Sequence, residues 1–145
     1  LDHGALSGDD TDGHVDELAC FVRPGVVLAL SCRDPQDANY AVLQENLERL
    51  RSASDASGRA LEVIEVEQPA ADYAGGRRLS CSYVNFYLPN GGVVMPAFGD
   101  RRRDAQAREL LCRLFPERRV LQLPTRTLSL GGGNIHCITQ QEPEA

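Results

Sequence analysis

The chain has 145 residues, 42% of them apolar, which is enough for one domain that buries a core. Its formal charge is -6 and its arginines are scattered between acidic stretches, with "RRRD" at 101–104 the densest basic spot; this argues against nucleic acid and suits a cationic small molecule. No apolar run approaches the roughly 20 residues of a membrane span, so a soluble protein with no membrane partner is expected.

The first residue is Leu1, and "LDHGALSGDD" has neither the charged start nor the apolar core of a signal peptide. That is the pattern of the interior of a longer chain. From Leu18, "LACFV", the turn "RPG" and "VVLAL" predict a β-hairpin. "DPQD" then signals a helix, with Asp34 as N-cap and Pro35 at the first helical position, and Tyr40, Leu43, Leu47 and Leu50 recur on one face. Ser and Gly end this helix near residue 58, and "LEVIEV" at 61–66 alternates like a half-buried strand.

The same order returns downstream. "YVNFYL", the turn "PNG" and "GVVMPAF" predict a second pair of strands, with Phe86 in the place of Phe21. A helix capped by Asp104 follows, with Ala107, Leu110, Leu111 and Leu114 on one face, and "RVLQL" at 119–123 is its closing strand. A third copy begins at "GGGNIHCITQQ". A strand, strand, helix, strand unit cannot bury both faces of its strands alone, so a ring or stack of such units is expected.

Two polar, Gly-rich loops stand just before the first strand of a unit: "SGDDTDGHVD" at 7–16 and "LGGGNIHC" at 130–137. The first holds His14 among Asp9, Asp10, Asp12 and Asp16. The second holds Cys137, the one cysteine outside apolar or strand-like surroundings; Cys20, Cys32, Cys81 and Cys112 read as small hydrophobes. No pair has C-x-x-C spacing, and an odd count without a secretory signal points to free thiols in the cytoplasm.

A thiol nucleophile needs a proton shuttle, and His14 is the candidate partner for Cys137. The alternatives are a structural Cys, and an acidic run that is a capped turn or a weak cation site without the ligand spacing of a calcium loop. Asn85 is a polar residue on an apolar strand that needs a partner, from the site or from backbone. His136 would point away from Cys137 if its segment is extended, and His3 reads as surface.

"GDDTDGHVD", "SYVNFYLPNGGVVMPAFGD" and "GGGNIHCITQQ", in this order, resemble the agmatine deiminases. These group with the Porphyromonas-type peptidylarginine deiminases in the guanidino-group-modifying superfamily. The resemblance implies a pentein-type five-bladed α/β propeller of ββαβ units, of which this chain supplies about two and the start of a third. Residues 1–145 would be the C-terminal part of a single catalytic domain whose N-terminal half is absent.

It further implies Cys137 as nucleophile, His14 as general acid and base, and Asp16 as the carboxylate that grips the substrate guanidinium. Gly132, Gly133 and Asn134 would line the substrate, while Asp10, Asp12 and Asn85 would support the site. The implied reaction is hydrolysis of agmatine to N-carbamoylputrescine and ammonia in putrescine synthesis, without metal or organic cofactor. A peptidylarginine deiminase is the second enzyme reading. An inactive fragment, associating with itself or with the missing half, is the third. A papain-like hydrolase fits poorly, because there the thiol precedes the His.

Overall fold

The computed structural model describes residues 5–9, 11 and 13–142, so His3, Asp10 and Asp12 lie outside the described residues. A single 3-10 turn, Val15–Glu17, leads into strands β1 (Ala19–Arg23) and β2 (Val26–Ser31), helix α1 (Tyr40–Ser52) and strand β3 (Glu62–Glu67). β1 pairs antiparallel with β2, and β2 parallel with β3, from Val26 opposite Glu62 to Ser31 opposite Glu67. All six residues of β2 are buried. A near-continuous apolar strand belongs in the middle of a sheet with both faces covered, and "VVLALS" is that strand.

A two-stranded turn, β4 (Tyr73–Ala74) and β5 (Arg77–Arg78), joins this unit to the next, in a stretch with no apolar period to announce it. Arg78 anchors it through a bidentate pair with Asp37, at 2.8 and 2.9 Å. Then come β6 (Gly92–Ala97), α2 (Arg101–Leu114) and β7 (Arg119–Pro124), with β6 and β7 parallel. A short helix α3 (Arg126–Ser129) and a 3-10 turn, His136–Ile138, close the described chain. One core cluster joins both units: Leu28 and Leu30 of β2, Leu43 of α1, Val93 and Met95 of β6, and Ala107 and Leu111 of α2. Among the described residues, no helix is long and apolar enough to cross a membrane.

Four local expectations change. Asp34 caps no helix: its carboxylate accepts from the Gln36 amide at 2.9 Å in a turn, and α1 starts six residues later at Tyr40 and ends at Ser52. Asp and Asn satisfy nearby amides equally well in turns and at caps, so the signal is real but the packing of the downstream residues sets its use. The second helix is capped by Asp100, which accepts from the Arg103 amide at 3.1 Å. Asp104 lies inside that helix, buried, where it accepts from the Phe98 and Gly99 amides and from the Tyr83 hydroxyl.

"YVNFYL" is not a strand either. Its turns, with Phe86 N–H donating to Val84 at 2.9 Å, leave only Tyr87 bridged to Val94. Phe86 is therefore 4% exposed while Phe21, on β1, is 59% exposed, and the two do not hold matching places. Finally, the segment around Cys137, which would turn His136 away from the thiol if it were extended, is a 3-10 turn, His136–Ile138.

Candidate active site

Three short turns converge. The Val15–Glu17 turn carries Asp16, the turn after Tyr83 carries Asn85, and the His136–Ile138 turn carries Cys137. "HVD", "YVN" and "IHC" thus bring together a carboxylate, a carboxamide and a thiol.

Asn85 is fully buried and occupies the middle. Its amide nitrogen donates to Asp16 Oδ2 at 3.2 Å and to Cys137 Sγ at 3.1 Å, and its carbonyl accepts from the His136 backbone N–H at 2.8 Å. The thiol lies 3.3 Å from Asp16 Oδ2. Sequence reasoning puts Asn85 at the margin of the site; the structure makes it the hub. The available signal is its polarity in an apolar run, which says a partner exists but not which one.

An extended segment would turn His136 away from the thiol. The 3-10 turn instead brings its Nδ1 to 2.7 Å from Asp16 Oδ2, and against an ionised carboxylate that nitrogen is the donor. His14 Nδ1 lies 3.8 Å from the other oxygen, Oδ1. The His14, Asp16 and Cys137 donor atoms all lie within 4.8 Å of one another. The sequence thus points to His14, Asp16 and Cys137 as residues that would meet, and they do.

A Cβ at Gly133 would stand 2.9 Å from both Cβ and Sγ of Cys137, so the missing side chain makes room for the thiol. Gly132, at φ +86°, supplies the left-handed turn before it. Asn134 is fully buried and donates to the Ser129 hydroxyl at 3.0 Å, so its side chain braces the loop. Its backbone N–H points at the sulfur. In the acidic loop, Asp9 accepts from the Thr11 and Gly13 amides at 2.8 and 3.1 Å, the capped turn that was one of the two readings.

The electrostatics oppose each other. Burial raises the pKa of Asp16, but hydrogen bonds from His136 and Cys137 together with the charges of both histidines outweigh it, and the carboxyl lies below its usual range. Burial pushes the Cys137 thiol up; the Asn134 and Asn85 N–H groups counter this and the Asp16 charge adds to it, leaving the thiol above its usual value. A cation seated on Asp16 would remove that last contribution and favour the thiolate. Beside the turns lies an apolar depression of about 280 Å3, lined by Val15, Asp16, Phe21, Phe86, Leu88 and His136.

The family model for the Porphyromonas-type peptidyl-arginine deiminases matches residues 1–143. The chain belongs to this family. A Legionella pneumophila relative is 52% identical over 140 residues, covering 97% of this chain and 40% of the relative. The agmatine deiminase of Stutzerimonas stutzeri is 47% identical over 161 residues, covering 99% of this chain and 43% of that protein. Among solved structures, an agmatine deiminase of Enterococcus faecalis superposes with a TM-score of 0.84 at 35% identity, over 92% of this chain and 41% of the other. This deiminase-family chain has the mixed α/β fold of those structures, and it spans about two-fifths of the length of the curated relatives it matches.

Proposed function

We propose that residues 1–145 are the C-terminal part of an agmatine deiminase catalytic domain, in which Cys137, His14 and Asp16 carry the chemistry. The observation that supports this most directly is the thiol 3.3 Å from a carboxylate with two imidazoles on that same carboxylate. A guanidinium is a planar fork of N–H donors that pairs with a carboxylate edge, so Asp16 would present its carbon to the sulfur along a fixed direction. Such positioning supplies up to about 7–11 kcal/mol of a barrier when the geometry is well aligned.

The Cys137 thiolate attacks the guanidinium carbon, forming a C–S bond. His14 protonates one terminal nitrogen, which leaves as ammonia, and a thiouronium adduct remains on the sulfur. Water, deprotonated by His14, then adds to the same carbon; the C–S bond breaks, the thiolate returns and N-carbamoylputrescine departs. This product lies on the way to putrescine. The raised thiol is consistent with an order of events in which the bound cation, having neutralised Asp16, releases the sulfhydryl proton. No metal or organic cofactor takes part.

One strand, strand, helix, strand unit and a second whose first strand is reduced to the bridge at Tyr87 are compatible with a five-bladed pentein propeller, and the remaining three-fifths of the relatives' length would supply the other blades and the far wall of the pocket. Self-association or docking with that remaining part would cover Val15, Phe21 and Ile138, each more than half exposed here. The setting is cytoplasmic. The family model's description keeps a second substrate in view, the side chain of a peptidyl arginine.

Ammonia release by the protein with agmatine, and with a peptide ending in arginine, separates these readings. Activity on agmatine with a covalent adduct trapped on Cys137 is the expected result. Retention of activity by Cys137→Ala would overturn the thiolate mechanism, and preference for the peptide would move the assignment to the second substrate.

A further inference from the structure

The three groups proposed for catalysis are also the only set of three or more His, Cys, Asp or Glu side chains among the described residues placed to hold one metal ion. They offer an imidazole nitrogen, a carboxylate oxygen and a thiol sulfur, all within 4.8 Å of one another. We propose that the substrate-free site captures Zn2+ on His14, Asp16 and Cys137, as an inhibitory metal site that a cationic substrate must displace. The capture rests on this geometry alone; only the competition rests on the function proposed above.

The donor set selects the ion. A sulfur, a nitrogen and one carboxylate suit a borderline-soft cation that accepts four ligands, with water in the fourth position, and suit neither Mg2+ nor Ca2+. Zinc bonds of about 2.0–2.3 Å place tetrahedral ligands about 3.5 Å apart. His14 Nδ1 and Asp16 Oδ1 are already 3.8 Å apart, and the donor atoms of all three residues lie within 4.8 Å of one another. The His14 side chain is 56% exposed, so its ring is free to swing the remaining distance without disturbing the core.

The support for the ligands is also present. Asp16 Oδ2 accepts from His136 and Asn85, which holds the carboxylate in place and leaves Oδ1, the oxygen facing His14, for the ion. Gly133 gives the sulfur its clearance. On binding, the thiol releases its proton to solvent as the S–Zn bond forms, and the imidazole donates its lone pair. A guanidinium on Asp16 and a zinc ion on Asp16 cannot coexist, since both need the same carboxylate and the same sulfur.

Titration of the metal-stripped protein with Co2+ tests the site without any activity measurement. One equivalent should produce a thiolate-to-cobalt charge-transfer band that Zn2+ abolishes. The band should vanish in Cys137→Ser, persist in Cys112→Ala, and require on the order of tenfold more metal in His14→Ala and in Asp16→Asn. Iodoacetamide alkylation of Cys137, read by peptide mass, should slow on the order of tenfold with Zn2+ and recover with EDTA. No band in the unmodified protein, a band that survives Cys137→Ser, or alkylation indifferent to Zn2+ would overturn the site. If the band appears but saturating agmatine leaves it unchanged, the zinc site stands, its competition with substrate is refuted, and the agmatine reading falls instead.

Discussion

The two units of this chain differ most where they open. In the first, the turn Val15–Glu17 puts Asp16 partly in the open and follows it with a five-residue strand. In the second, the turn ends on Asn85, fully buried, and the strand shrinks to a single bridge at Tyr87. The next position along differs too: Glu17 in the first, Phe86 in the second, both buried. The opening of one supersecondary unit therefore accommodates a partly exposed anion or a buried neutral amide that ties its neighbours together. A buried neutral amide donates to a thiol and a carboxylate at once, whereas a second carboxylate there would repel the first.

Making the second opening like the first is the most damaging test. Asn85→Asp would set two carboxylates about as close as the 3.2 Å contact now joining Asn85 and Asp16, and would remove the donor to Cys137. Loss of one such preorganised donor lowers turnover by about 10²–10³-fold. The expected result is that loss in ammonia release by the whole protein, with Asn85→Gln partly restored. Activity within tenfold of the parent would show that the amide does not act on the sulfur.

Asp104 and Asp100 sharpen the same comparison in the second helix. Asp104→Ala strips the Phe98 and Gly99 amides and the Tyr83 hydroxyl of their buried acceptor, and should cost about 3 kcal/mol in a denaturant titration. Asp100→Ala removes an ordinary N-cap and should cost about 1 kcal/mol. Equal losses would mean that Asp104 acts as no more than a cap.

Glu17 provides a pH test at the first opening. Burial, softened by the Ser80 hydroxyl and reinforced by the Asp9 and Asp16 charges, pushes its carboxyl up to about 7. A raised carboxyl binds its proton more tightly folded than unfolded. Its contribution is whole below the ordinary value near 4.5 and is lost as pH rises to about 7, a change of about 3 kcal/mol. Glu17→Gln should remove that slope from stability measured across pH 4.5 to 7, as Phe86 already does in the other unit. An unchanged slope would place the titration elsewhere. The smallest effect is expected at Asp34, whose turn is exposed: Asp34→Ala should change stability by no more than about 0.5 kcal/mol.

Local pattern carried most of the fold into view. The apolar run at 26–31, the period of α1 and α2 and the repeated element order needed no neighbours to be legible, because periodicity reports which face is buried. Helix starts were less legible. Asp34 and Asp104 satisfy backbone amides as a cap would, but the choice between turn and cap depends on where the downstream chain finds its core. The same ambiguity hid the β4–β5 turn, whose anchor, the pair between Arg78 and Asp37, spans 41 residues.

At the site, residue chemistry paired Cys137 with His14 as candidates, because a thiol in a Gly-rich loop and a His among carboxylates are unusual placements whatever the fold, while the choice of Asp16 among the loop's carboxylates came from the resemblance to the deiminases. Only the tertiary structure decided what joins them. Asn85 bridges Asp16 and Cys137 across separations of 69 and 52 residues. The 3-10 turn rotates His136 onto Asp16, and Gly133 proves to be space for the sulfur. Distances of that kind arise where chain ends of separate units meet, and one-dimensional periodicity holds no record of them.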